Sequence, residues 1–406
     1  MKVLVVAEYY PRSADDSLGI WAHRQAVAVR DAGAELRVLV LHRPVPPIAA
    51  LRAGDVTALR AAARQPGHGR IDSIEIDYVR YLSPPRPWSY GSWGAWAAPA
   101  LALALRGLRR RFAFELVHAH YAVPAGDALR RVAPAAPLVV SVHGGDVYGT
   151  VARRPGAQAV GATLAHAGLV LANSAGTARR CVQHGARETR VVHLGTDLPA
   201  RSTPADRASG ASPTLVTVGA LIERKRHRDV IAALPCLLPR HPGLRYRIVG
   251  DGPQRPALLT LARSLGVERN VELLGRLPHA QALATAREAD LFVLPSVDEA
   301  FGVAFVEAMA GGVPAIGCRG VDGPEEIAAA GGGLVLVDPG DIAGLASVID
   351  ALLSAPADRA ELGRQARTTV EREFSWRRCG AQTMSAYEHL LRAAGKMVFS
   401  PPPSWE

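Results

Sequence analysis

Two glutamates eight residues apart, Glu299 and Glu307, lie in the segment from Pro295 to Pro314. An apolar run, Leu291 to Leu294, precedes them, and a second, Val313 to Ile316, follows. The residues between predict a short helix starting near Gly302. Val303, Phe305, Val306, Met309 and Ala310 make it apolar nearly all round and therefore buried. Glu307 falls in its middle. A buried carboxylate needs donors, or its desolvation is not repaid, and no cation is near in sequence. A ligand with paired hydroxyls, such as a ribose, supplies two donors at once. The turn Glu299-Ala300-Phe301-Gly302, running into Val303, aims the free N–H groups of a helix start above the preceding strand, which suits an anion. Diol recognition beside diphosphate recognition points to a sugar nucleotide. A glutamate in a helix ordinarily faces water, but the flanking composition leaves little polar face for this one.

The run Glu-x-Phe-Gly followed by Glu-Ala-Met-Ala-x-Gly-x-Pro resembles the signature of a large retaining glycosyltransferase family, often called family 4, of bacterial polysaccharide and lipid-glycan enzymes. The resemblance implies a GT-B architecture. It extends to Gly219-Ala220-Leu221-Ile222-Glu223-Arg224-Lys225, where the family has Gly-Arg-Leu, three residues, then Lys. Lys225 holds the Lys position, and a cation there stabilises charge developing on a leaving diphosphate. Ala220 departs from the family's Arg, and either Arg224 or Arg226 could reach the same phosphates. A solvated basic run is the plainer reading of Arg224 to Arg228. Gly250, in Val249-Gly250-Asp251-Gly252-Pro253, matches the family's loop near the nucleotide. Arg276, in Leu274-Gly275-Arg276-Leu277-Pro278, lies in the loop that resembles the base-holding one, or only caps a strand end.

In the first half, Val140 to Val142 ends in His143-Gly144-Gly145-Asp146. The family places this histidine against the donor sugar's hydroxyls, and a neutral imidazole can donate or accept. The plainer reading is a core histidine bonded to backbone. Asp146 would orient His143 or bind acceptor. His118 and His120 share one strand face; without further ligands in spacing they read as structural or acceptor-side, not as a metal pair. Asp15 to Gly19 resembles the family's glycine loop near the acceptor, which makes Gly19 an acceptor-side candidate.

The elements that must position these residues alternate. Short apolar runs at Val3–Ala7, Leu36–Leu41, Ile74–Tyr81, Leu116–Ala119, Leu138–Val142 and Leu169–Ala172 alternate with helical patterns at Ile20–Ala32, Ala95–Arg111, Ala125–Ala133 and Ala175–His184, which predicts a parallel sheet covered on both faces. Residues 43–70 fit no element. Leu198–Pro213 reads as a linker, and Thr214–Gly219 opens a second series. The length of 406 residues suits two such domains. Phe374-Ser375-Trp376 and the helix after it resemble the family's last helix, which crosses back onto the first domain. The four cysteines have no metal or disulfide spacing, and no apolar run reaches the roughly 20 residues a bilayer requires.

The net charge of +10 is confined to one half: 24 Lys and Arg against 14 Asp and Glu up to residue 197, and 23 against 23 beyond it. An anionic partner for the first half follows, and no nucleic-acid motif accompanies the charge. Trp88, Trp93 and Trp96 precede the apolar run Ala97–Leu105, and Arg106, Arg109, Arg110 and Arg111 follow it. This reads either as a core helix with a solvated end or as a peripheral contact with an anionic membrane.

The expectation is an α/β chain of two facing Rossmann-like domains with a cleft between them: 1–197 plus 375–406 on the acceptor side, and 198–374 binding the nucleotide sugar. It is expected to move a hexosyl group from a UDP- or GDP-linked sugar to a glycan or lipid-linked glycan in the cytoplasm, at the inner face of the cell membrane if the membrane reading holds. Glu299, His143, Lys225 and Arg224 carry the chemistry. Glu307, Gly219, Gly250, Arg276, Phe301, Gly302 and Val303 hold the donor. Gly19 and Asp146 lie toward the acceptor. With no Asp-x-Asp pair, neither a metal nor another cofactor is expected. The rival is a GT-B epimerase or hydrolase acting on the sugar nucleotide alone. A Rossmann dehydrogenase fits poorly, because Glu8-Tyr9-Tyr10-Pro11 stands where Gly-x-Gly-x-x-Gly would be.

Overall fold

The computed structural model describes residues 1–12, 18–45, 64–200 and 212–395, with positions 54, 56, 57 and 60. Asp15 to Ser17, most of the linker and much of segment 43–70 lie outside the described residues. Two compact units divide the chain: Met1–His193 with Arg377–Glu406, and Leu194–Trp376.

The first unit is built on β1 (Lys2–Ala7), β2 (Glu35–His42), β3 (His68–Ile71), β4 (Ile74–Arg80), β5 (Leu116–His120), β6 (Leu138–Val142), β7 (Leu169–Ala172) and β8 (Thr189–Val191). Their order is β3-β4-β2-β1-β5-β6-β7-β8. All neighbours are parallel except β3, which runs antiparallel to β4. Strands β1, β5, β6 and β7 are buried almost along their whole length, as a sheet with both faces covered requires. β3 accounts for the end of the segment that fits no element in the sequence. Its exposed residues, His68-Gly69-Arg70, have no apolar pattern to reveal a strand.

The helix Trp93–Arg109 turns Gly94, Ala97, Leu101, Leu105 and Leu108 into the core. Its opposite side leaves Trp96 and Leu103 in solvent, at 47% and 72% exposure. The last helix, Trp376–Ala393, enters this unit at Arg377. It docks closely because Gly380 lies on the Ala28 backbone, where a Cβ would come within 2.3 Å of the carbonyl oxygen. Gln25 donates to Thr383 (3.1 Å), and the Tyr387 hydroxyl meets His118 Nδ1 at 2.6 Å.

The second unit holds β9 (Thr214–Val218), β10 (Arg245–Val249), β11 (Val271–Gly275), β12 (Leu291–Val293), β13 (Ala315–Cys318) and β14 (Leu334–Val337). The sheet is wholly parallel, in the order β11-β10-β9-β12-β13-β14. The chain winds outward from β9 in one direction and from β12 in the other. Such a reversal opens a crevice at the carboxyl ends of the two middle strands. In the first unit β1 and β5 mark the corresponding point.

Tyr387→Phe removes the partner of a fully buried imidazole nitrogen. It should destabilise the first unit by about 1–3 kcal/mol, read as a lower urea midpoint. An unaltered midpoint would show that the last helix docks by packing alone.

Candidate functional site

The reversal in the second sheet brings together residues 74 positions apart in sequence. Lys225 follows β9, and its ammonium is ion-paired and hydrogen-bonded to Glu299, which follows β12. Both side chains are nearly buried, 13% and 10% exposed. Ser296 donates to the same Glu299 oxygen at 3.2 Å. Arg224 Nη1 lies 3.8 Å from that oxygen and donates to the Asp298 carbonyl (3.2 Å). The Arg224 carbonyl in turn accepts from Val297 N–H (2.8 Å). Arg226 turns away to Asp229 (2.6 Å), so of the two arginines left open by the sequence, Arg224 is the one at Glu299.

The helix Val303–Ala310 begins beside this cluster. Gly302, at φ +88°, is its N-cap, and no side chain caps it. A Cβ at Gly302 would come within 2.6 Å of the Phe305 ring and 3.2 Å of Glu299 Cγ, so a glycine is required both by conformation and by space. Val303 and Gly302 thus lie at an open helix start, as expected. Phe301 differs: its ring is buried against Phe374, with centroids 5.5 Å apart.

Glu307 is less isolated than its sequence neighbours imply. His279, at the start of the helix His279–Arg287, meets Glu307 Oε1 at 3.0 Å, and Arg287 donates to the Glu307 carbonyl (3.4 Å). The carboxylate is partly exposed, at 17%, and not fully enclosed. A glutamate in an apolar helix does find polar partners, but they come from a neighbouring helix that sequence spacing does not reveal.

The glycine loops are stitched to one another. Gly219 N–H donates to the Val249 carbonyl, Leu221 N–H to Asp251, and Gly250 N–H to Gly275. A Cβ on Gly250 would lie 2.0 Å from the Gly219 oxygen. Arg276 stands exposed just beyond β11.

The first unit gathers its own polar residues at the ends of β1, β5 and β6. His143 Nε2 meets His120 Nδ1 at 3.0 Å, and His118 lies between Ser141 (2.7 Å) and Tyr387. The other ring nitrogen of His143, Nδ1, is buried without a partner. Asp146 is fully buried. Its Oδ1 accepts from Ala122 N–H (3.0 Å), and the His143 backbone N–H also donates to the carboxylate. It thus orients His143 through the main chain and does not reach a solvent-borne acceptor. Gly19, at φ +67°, caps the helix Ile20–Asp31 and rests directly on the Tyr9 backbone. Glu8 follows β1, buried and ion-paired to Arg86, and its carbonyl accepts from Arg12. Among the described residues no group of three or more His, Cys, Asp or Glu is placed to hold a metal ion.

The family model described as Glycosyl transferases group 1 matches residues 203–369, and that described as Glycosyltransferase Family 4 matches residues 18–199. A D-inositol 3-phosphate glycosyltransferase of Rhodococcus erythropolis is 31% identical over 71% of this chain and 72% of its own. The chain is a family 4 glycosyltransferase. A glycogen synthase of Mycobacterium tuberculosis is 28% identical over 95% of this chain and 94% of its own. Among solved structures, sucrose-phosphate synthase from Thermosynechococcus elongatus matches with a TM-score of 0.75 at 19% identity, covering 97% of this chain and all of that one. Anabaena Alr3699/HepE, solved with UDP, matches with a TM-score of 0.69 at 20% identity, covering 96% and 100%. The fold of this glycosyltransferase is accordingly GT-B, with two Rossmann-like domains, and its substrates are nucleotide sugars.

The histidine cluster makes the transferase acid-sensitive. Burial holds His118 and His143 down to about 3, with His143 adding repulsion at His118, and holds His120 well below its ordinary value. Unfolded histidines bind protons near 6.5 while these do not, so stability is lost as pH falls below that value. Asp146 opposes this: burial pushes it up to about 7, so it favours the native state at low pH and loses that contribution as pH rises through about 7. Three groups against one predict a lower urea midpoint for the first unit at pH 5 than at pH 7, and a steeper drop in Asp146→Asn. A midpoint that rises on acidification would contradict the neutral assignment.

Proposed function

We propose that this glycosyltransferase is retaining and moves a hexosyl group from a UDP- or GDP-linked sugar to a hydroxyl of a glycan or lipid-linked glycan, in polysaccharide or glycolipid synthesis in the cytoplasm. The observation that carries this reading is the Lys225–Glu299 pair, with Arg224 beside it, at the open start of helix Val303–Ala310. A diphosphate placed there meets two cations and free N–H groups, which favour the charge developing on the leaving group. Displaced from Lys225, the Glu299 carboxylate is free to accept from sugar hydroxyls. Glu307 is left to the ribose, with His279 holding one of its oxygens. Among the described residues no side chain stands out as a covalent nucleophile, and retention is assigned, as membership of the family implies, to attack on the departing face with the leaving phosphate as base. Arg224 and Lys225 do the work of a cation, and no metal is required. Relatives support this class of substrates by name: one is a GDP-mannose-dependent mannosyltransferase acting on a phosphatidylinositol monomannoside, and Alr3699/HepE was solved with UDP-glucose.

Calorimetric titration with UDP-glucose and GDP-mannose, in the presence of EDTA, tests the donor site. One of them should bind the wild type, and Glu307→Gln should weaken it more than about tenfold through the loss of charge-assisted hydrogen bonds. Lys225→Ala should cut turnover by about 10²-fold. Binding that is unchanged in Glu307→Gln, or that is abolished by EDTA and restored by Mg²⁺, would overturn the ribose assignment or the metal-free mechanism respectively.

The reading includes a peripheral membrane contact through the outer side of helix Trp93–Arg109. Among the described residues no helix is long and apolar enough to cross a membrane. Trp96 and Leu103 are one heptad apart on the exposed side, and Arg106, Arg110 and Arg111 follow in solvent. Tryptophan favours the headgroup level, and each surface arginine adds about 1 kcal/mol on an anionic leaflet. Co-sedimentation with vesicles containing phosphatidylglycerol should capture the protein at low salt, and vesicles of phosphatidylcholine alone should not. Leu103→Ser with Arg110→Ala should reduce capture. Equal recovery with both vesicle types, or with neither, would remove the membrane from the reading.

A further inference from the structure

The loop that carries Arg224 and Lys225 is closed from below by a buried imidazole. His227, the first residue of helix His227–Leu237, is only 2% exposed. Its Nε2 lies 3.2 Å from the Ala220 carbonyl oxygen, across the mouth of the loop. A carbonyl only accepts, so Nε2 carries the proton. Burial holds His227 down to about 4, against the hydrogen bond to Ala220 and with the help of the Lys225 charge, so at neutral pH this N–H is the one the ring has. Its Nδ1 faces the Tyr246 hydroxyl at 3.5 Å. That hydroxyl is 2.8 Å from Thr217 Oγ1, and Thr217 donates to the Val293 carbonyl. Thr217 has a single proton and spends it on Val293. Tyr246 therefore gives its own to Thr217, and none remains for Nδ1. The long contact is the one without a proton, and His227 is held through Nε2.

For this bond to form, the chain must reverse between Lys225 and His227. Arg226 makes the reversal at φ +54°, a left-handed conformation that is costly for a residue with a Cβ. It is held there from both sides: its guanidinium pairs with Asp229 at 2.6 Å, and its N–H donates to the Glu223 carbonyl at 3.0 Å. Strain of this kind persists only where the surroundings over-determine it, and it gathers at functional sites. The other end of the loop is fixed as well. Ala220 also accepts from Ile222 N–H (2.9 Å), and Gly219 N–H donates to Val249 (2.9 Å). Between these ends the short turn Glu223–Lys225 brings the Lys225 ammonium to Glu299. A lysine is a point charge on a flexible stem, so where its ammonium stands depends on where its backbone is held. We infer that His227 is a positioning residue for the transfer: by donating to the Ala220 carbonyl it fixes the loop on which Lys225 meets the leaving diphosphate. It acts through Lys225, with its own ring buried. The inference rests on the assignment of Lys225 to the diphosphate in the proposed function and deepens it by naming what holds that lysine in place.

Calorimetric titration of the full chain with UDP, UMP, GDP and GMP, in the presence of EDTA, tests it. The affinity of a nucleoside diphosphate relative to its monophosphate reads contact with the second phosphate. For one of the two bases that ratio should be about tenfold or more in the wild type, the scale of charge-assisted hydrogen bonds. His227→Leu, similar in size and without a donor, should erase most of the ratio and leave monophosphate affinity unchanged. His227→Gln, whose amide nitrogen reaches the place of Nε2, should restore it. If His227→Leu does not fold, His227→Asn, polar but too short to reach Ala220, takes its place. Lys225→Ala shows how much of the ratio a lost ammonium removes. A ratio lost in Lys225→Ala but kept in His227→Leu overturns the inference alone. So does a loss that His227→Gln fails to restore, or an equal loss of monophosphate and diphosphate binding, which would make His227 a purely structural residue. A ratio unchanged in Lys225→Ala, or no nucleotide binding by the wild type, overturns the donor reading and the inference with it.

Discussion

The ion pair between Lys225 and Glu299 joins the two loops that part at the middle of the second sheet, and the rest of the site around it depends on that junction. The loop after β9 and the loop after β12 have no reason in sequence to approach each other. Strand order brings them together, because β9 pairs directly with β12 while the chain winds away from each on opposite sides. Two nearly buried opposite charges then compensate each other, as buried charges must. The same contact fixes where helix Val303–Ala310 starts, since Glu299, Gly302 and Phe305 occupy one small space. A bulkier residue at Gly302 would shift the helix start and the carboxylate together.

Around this junction the second unit satisfies its own polar groups. Glu299 has Lys225, Ser296 and the nearby Arg224. Glu307 has His279. Even the loop backbone is tied, Gly219 to Val249 and Gly250 to Gly275. Such a site is preorganised, and any ligand placed there must exchange existing contacts for its own. Exchange of that kind suits differential binding, in which interactions tighten as charge develops on the leaving group.

The first unit is organised in the opposite way. The buried polar side-chain atoms left unpartnered among the described residues lie in it, mostly at the β1/β5 edge. Its histidines are paired with one another and with Tyr387, a residue more than 260 positions later in the chain. The last helix therefore supports the floor under this edge through a hydrogen bond as well as through packing. A half-satisfied polar edge costs stability, and a ligand that completes it recovers that cost on binding.

Much of this was legible from residue order. The glutamate pair, the Lys225 loop and the apolar runs carried the parallel α/β architecture and the family, because a buried parallel strand must be apolar along its length and a glycine must stand where a helix start meets a strand end. β3 was not legible, since its exposed polar residues carry no period. Three further matters were decided only by tertiary structure. Arg224 rather than Arg226 lies at Glu299, because Asp229 sits one helical turn from Arg226 and takes its charge. Glu307 is held by His279, which comes from a separate helix. His143 pairs through Nε2 with His120, and the Phe301 ring is buried against Phe374. Sequence determines which chemical groups stand at the strand ends. Which of them face each other depends on the order of strands in the sheet and on the packing of helices across it, and both are settled by burial of the whole chain rather than by any local spacing.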